Sequence, residues 1–240
     1  MQPGHHMALP PLAPTTKKII VLLSAAFIAE LILQVWVGIP VFQMLALDPT
    51  TLGIQTLWQL FTFPFVEYPQ AIIKVFLSLL MIWWFLSPFE LSHGRARLIQ
   101  LCMAAILASG LAALLTGQIV SSGSVFTSSL LAGSDALSLA ALAAFAATYR
   151  HSQILLFGVF PIKTMHIIAF SVAMSVLYFL ASRDLVSLAA HLAAIGAGFA
   201  FVNWMRRPPK RRTLKRKTGA DAALQVLQGG KPTDPPKWLN

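Results

Sequence analysis

At 240 residues, with 57% hydrophobic and only 11% charged side chains and a mean hydropathy of +0.72, the chain carries less than half the charge of a soluble domain. That excludes a single water-soluble globule and points to a polytopic membrane protein. A net charge of +10 suggests nucleic acid until the cations are located. They cluster at the chain ends and in short loops, which is a topology signal and argues against nucleic acid as a partner.

Residues 1–18 read as an N-terminal tail without a cleavable signal, because the apolar segment after Lys17 and Lys18 is of spanning length. His5 and His6 lie in a proline-rich stretch and are not read as a metal site. Six apolar stretches follow, each near the ~20 residues that a helix needs to cross the hydrocarbon core. They run from about Ile19 to Ile39, Ala71 to Ser87, Leu98 to Leu115, Leu130 to Tyr149, Thr164 to Ser182 and Leu185 to Trp204. The predicted fold is therefore all-α, a six-helix transmembrane domain over 19–204, followed by a basic tail over 205–240. Cys102, the single cysteine, lies within the third stretch and can form no intramolecular disulfide.

Cations precede the first stretch, lie between the second and third (Arg95, Arg97) and between the fourth and fifth (Arg150, Lys163), and follow the sixth. The intervening loops 40–70 and 116–129 have no Lys or Arg. This asymmetry predicts both termini in the cytoplasm, in an inner membrane of bacterial type. The loop from Val41 to Gln70 is apolar and aromatic and is expected to lie in the outer leaflet. Arg150 to Lys163 reads as an apolar re-entry ending at Pro161. The segment RRPPKRRTLKRK at 206–217 is expected to adhere to anionic lipid headgroups. Glu30, a lone carboxylate in the first stretch, is expected to make a structural hydrogen bond.

The fourth stretch carries Ser134, Asp135 and Ser138, and polar groups in a span are a functional hypothesis by default. Counted from the outer face at 1.5 Å per residue, Ser134 lies roughly 6 Å deep and His191, in the sixth stretch, roughly 9 Å. Both helices bear small residues, including Ala136, Ala140 and Ala144 on one and Ala190, Ala194 and Gly198 on the other, which permit close approach. A serine and a histidine at matching depth suit a nucleophile and its general base; a plain structural hydrogen bond is the alternative. Lys74 and Ser78, near the outer end of the second stretch, fall at the same depth. Lys74 either snorkels to the interface or belongs to the site. No nucleotide-binding loop, metal-ligand cluster or internal repeat is evident, so no cofactor is expected.

Four segments resemble the rhomboid family of intramembrane serine proteases: WQLFTFPF at 58–65, WWFLSPFE at 83–90, AGSDA at 132–136 and AAHLAAIGAG at 189–198. The resemblance implies Ser134 as nucleophile and His191 as base. It also departs from the family. Ala132 and Asp135 stand where the serine motif has glycines. Lys74 and Ser78 stand where the family has a histidine and an asparagine that hold the oxyanion, and Gln59 replaces a first-loop arginine. Two functions are expected. One is a protease cleaving single-span substrates with a Ser134/His191 dyad and a degenerate oxyanion site. The other is a pseudoprotease that binds client transmembrane helices uncut. A transporter is disfavoured, because only Glu30 offers a coupling group.

Overall fold

The computed structural model describes residues 10–51, 53–120, 129–150, 153–156 and 160–206. The tail expected to meet anionic lipids, and His5 and His6, lie outside them. Helix α1 (Pro14–Leu31) starts before the first apolar stretch and ends in a π turn at Ile32–Trp36. Two short helices, α2 (Val41–Leu45) and α3 (Ile54–Thr62), and a 3-10 turn at Phe63–Phe65 form the loop that follows. Then come α4 (Ile72–His93), α5 (Arg95–Val120), α6 (Asp135–Thr148), α7 (Thr164–Ser182) and α8 (Leu185–Arg206). Among the described residues, five helices are long and apolar enough to cross a membrane, counting α1 with its π turn. With the shorter α6 they make a six-helix bundle.

The chain's start is fastened to α4 by polar contacts. Proline at the first turn of α1 costs no hydrogen bond there. The N–H groups of Thr15 and Thr16 donate to the Glu90 carboxylate at 2.8 and 2.7 Å, as does the Thr16 hydroxyl at 2.8 Å. A carboxylate from another helix thus caps α1 where its own first-turn donors have no intrahelical partner.

Helix α6 is the bundle's axis. Nearly all of its residues are buried, and α8, α4 and α5 pack around it. Gly198 of α8 is the closest approach: a Cβ there would lie 2.5 Å from the Ala140 carbonyl oxygen and 2.8 Å from the Ala143 Cβ. The small residues expected to let these helices meet do so.

The fourth apolar stretch is not helical from Leu130, as expected, but only from Asp135. Gly133 explains the delay, since its φ of +107° is incompatible with helix. Ahead of it, Leu131 and Leu47 exchange backbone hydrogen bonds at 2.9 Å, and the Gly133 N–H donates to the Phe63 carbonyl at 2.9 Å. Fourteen residues make a helix only ~21 Å long, short of a ~30 Å hydrocarbon core. The space beyond its N-terminus is closed partly by the loop and partly left open, and the site lies there.

Residues 150–163 differ from expectation. Instead of an apolar re-entry, Gln153–Leu156 (β1) and Phe160–Lys163 (β2) pair as an antiparallel hairpin. The segments QILL and FPIK form a ladder whose backbone groups, the N–H that Pro161 lacks apart, satisfy one another in a way that an irregular apolar loop cannot manage.

Candidate functional site

Ser134 is the N-cap residue of α6, with Asp135 the first helical residue. Successive positions at a helix start diverge by about 100°. The two side chains therefore leave the helix on different sides. Ser134 is buried and borders a small crevice that Leu23 and Phe27 of α1, Val66 of the loop and Leu79 of α4 also line. Asp135 faces the opposite wall, toward His191.

The Ser134 side chain makes no capping hydrogen bond, and among the described residues no hydrogen bond joins it to His191. The group that approaches the His191 ring is Asp135, with Oδ2 3.9 Å from Nε2. His191 Nδ1 is buried with no hydrogen-bond partner. Asp135, the neighbour of Ser134, is thus the carboxylate that stands at the His191 ring.

Lys74 and Ser78 converge on the same carboxylate. Lys74 Nζ lies 2.8 Å from Asp135 Oδ2, and the Ser78 hydroxyl donates to Oδ1 at 3.4 Å. Their spacing of four residues puts both on one face of α4. Lys74 does not snorkel away alone. Its ammonium is also 2.6 Å from Glu67 Oε1, so one cation is shared by two carboxylates.

Glu67 completes the arrangement from the loop. Its carboxylate fills the space beside Gly133, where a Cβ would lie 2.5 Å from Glu67 Oε2. Gly133 is therefore required twice, by its φ and by this contact. Burial pushes the Glu67 carboxyl up to about 7, with Lys74 pulling it back and Asp135 adding to the rise. Behind it, Glu30 accepts from the Glu67 N–H at 2.9 Å. That is the structural bond expected of Glu30, made where α1 meets the loop.

Glu67 went unremarked in the sequence although a signal was there. In the loop 40–70, which has no Lys or Arg, only Asp48 and Glu67 carry charge. Asp48 is satisfied locally by Thr50 and Thr51, which leaves Glu67 as the acid in need of a distant cation. Gln59, in place of an arginine, holds the loop by donating to the Met44 carbonyl and accepting from the Asp48 N–H, both at 3.4 Å.

A cavity of about 570 Å³ opens beside this network. Lys74, Asp135, Ser138 and His191 line it, together with Phe170, Met174 and Tyr178 of α7. Helix α7 packs on α8 and α6 and is largely uncovered elsewhere. The cavity therefore has one wall that is thinly supported.

The family model for the rhomboid domain matches residues 55–208, a stretch that includes the Trp58–Phe65 segment, Lys74, Ser78, Asp135 and His191. No curated protein matches the chain.

Proposed function

Given that the chain belongs to the rhomboid family, we propose that it is a pseudoprotease, binding the transmembrane helices of other membrane proteins at this site without cleaving them. The observation that carries this reading is the position of Asp135, opposite His191 and in contact with Lys74 and Ser78. If the serine motif is shifted by one residue, Gly133 takes the place of its first glycine, Asp135 of the serine and Ala136 of the next glycine. In that register only the first glycine is retained, and a carboxylate stands in the place of the nucleophile.

The chemistry follows from that position. A serine protease needs a neutral hydroxyl within reach of its base, and spare donors where negative charge develops. Here the group facing the base is a carboxylate, and the nearest donors, Lys74 and Ser78, are directed at it. A fixed negative charge in a low-dielectric site raises the barrier that a protease must lower. Ser134, the other nucleophile candidate, has no hydrogen bond to His191 among the described residues.

In this reading the loop 40–70 lies at the outer face, both termini are cytoplasmic, and clients enter from the lipid. The test is to co-reconstitute the chain with a labelled single-span helix and follow both association and chain length. Stable association with no new fragment supports the proposal. Fragments that vanish in Ser134→Ala overturn it and restore the dyad of Ser134 and His191.

A further inference from the structure

Six serines line the cavity, and their protons are already committed. Ser109 donates to the Ile106 carbonyl, Ser138 to that of Asp135, Ser171 to that of Ile167 and Ser175 to that of Ser171. Ser129 and Ser187 both donate to the Asp184 carboxylate. The Tyr68 hydroxyl, also on the wall, donates to the Leu130 carbonyl. A hydroxyl whose proton is engaged still has lone pairs to offer, so these groups are placed to receive a hydrogen bond.

The charges agree with this. Among the described residues, those around the cavity and their direct hydrogen-bond partners set three carboxylates, Asp135, Glu67 and Asp184, against the cation of Lys74, itself held by two of them. Asp184 is in addition committed to the start of α8, where it accepts from the Ser187 N–H at 3.1 Å. The lining thus favours an occupant that is positive and rich in donors.

We propose that this cavity receives a lysine or arginine side chain carried by the client's transmembrane helix near its outer end. The inference rests on the non-cleaving reading above and names the feature by which a client is chosen. A cation in a span is costly in lipid, so a helix bearing one gains more than an apolar helix by moving it against Asp135 and the serine oxygens. The route is between α4 and α7, where Lys74 and the α7 side chains Phe170 and Met174 border the cavity. A headgroup ammonium offers similar chemistry, but it is anchored at the bilayer surface, whereas Ser171 and Ser175 are well inside α7.

The test uses the full chain in vesicles of phosphatidylcholine and phosphatidylglycerol, which contain no primary amine. Synthetic single-span helices with Lys, Leu or Glu at one position near the outer end carry a fluorophore, and energy transfer reports affinity. The expected result is binding about tenfold tighter for Lys than for Leu, with Glu weakest. Asp135→Asn should largely abolish that preference. The double variant Ser171→Ala, Ser175→Ala, which leaves the ion network intact, should reduce it while the Leu helix still binds. Equal affinity for Lys and Leu, or a preference that survives in both variants, overturns the inference. So does loss of the preference when phosphatidylethanolamine is added, which would assign the site to lipid. Cleavage of the helices is a separate readout and sinks the non-cleaving reading instead.

Discussion

Lys74 Nζ stands 2.6 Å from Glu67 Oε1 and 2.8 Å from Asp135 Oδ2, so a single ammonium ties α4 both to the loop and to the start of α6. Removing it leaves two carboxylates close together without their shared cation. The Lys74 side chain is 41% exposed and that of Asp135 26%, so the loss falls below the about 3–5 kcal/mol of a fully buried pair broken from one side. Lys74→Met should lower the thermal midpoint in detergent markedly, and adding Glu67→Gln and Asp135→Asn should recover most of the loss. A triple variant no more stable than Lys74→Met would show that the charges do not set the stability here.

The same network gives a pH dependence. The folded-state value of Glu67, about 7, is above the ordinary 4.5. The stability gained by keeping its proton is full below the ordinary value and is lost as pH rises through the folded one. The melting temperature should fall between about pH 5 and about pH 8, and Glu67→Gln should fall less. Parallel pH profiles for the two proteins would contradict the assignment.

Gly198 and Gly196 make an internally controlled pair. A Cβ at Gly198 meets the Ala140 carbonyl at 2.5 Å, whereas one at Gly196 meets nothing within 4 Å. Overpacking of this kind costs about 1–3 kcal/mol or more, while glycine to alanine at an open helix position gains up to about 1 kcal/mol. Gly198→Val should unfold at clearly lower temperature than wild type, and Gly196→Ala at the same temperature or higher.

The six spans were legible because hydropathy and cation placement act over whole segments. Which residue of the fourth span faces His191 was not, because depth along a helix says nothing of direction around it. Ser134 and Asp135 have nearly the same depth, yet the positive φ of Gly133 starts the helix at Asp135 and leaves Ser134 as its N-cap. The ion network was half visible: Lys74 and Ser78 are four apart in one span, but Glu67 reaches them only through the folding of an irregular loop. Glu90 was visible only as part of a motif. Its bond to the start of α1 joins segments more than seventy residues apart.

That bond is testable by itself. Glu90→Gln keeps the shape but removes the charge from three hydrogen bonds, each worth roughly 1.5–3 kcal/mol when charged and less when neutral. Amide hydrogen exchange at Thr15 and Thr16 should accelerate while α6 stays protected. Unchanged protection at both threonines would mean that the cap is supplied in another way.

The central claim is that Asp135, not Ser134, occupies the nucleophile's place opposite His191. It is tested most directly by labelling with a fluorophosphonate probe, which reacts only with an activated serine. Wild type and Ser134→Ala should both remain unlabelled, whereas Asp135→Ser should be labelled and should lose that labelling when His191→Ala is added. Labelling of wild type that disappears in Ser134→Ala, with Asp135→Ser inert, would contradict the account.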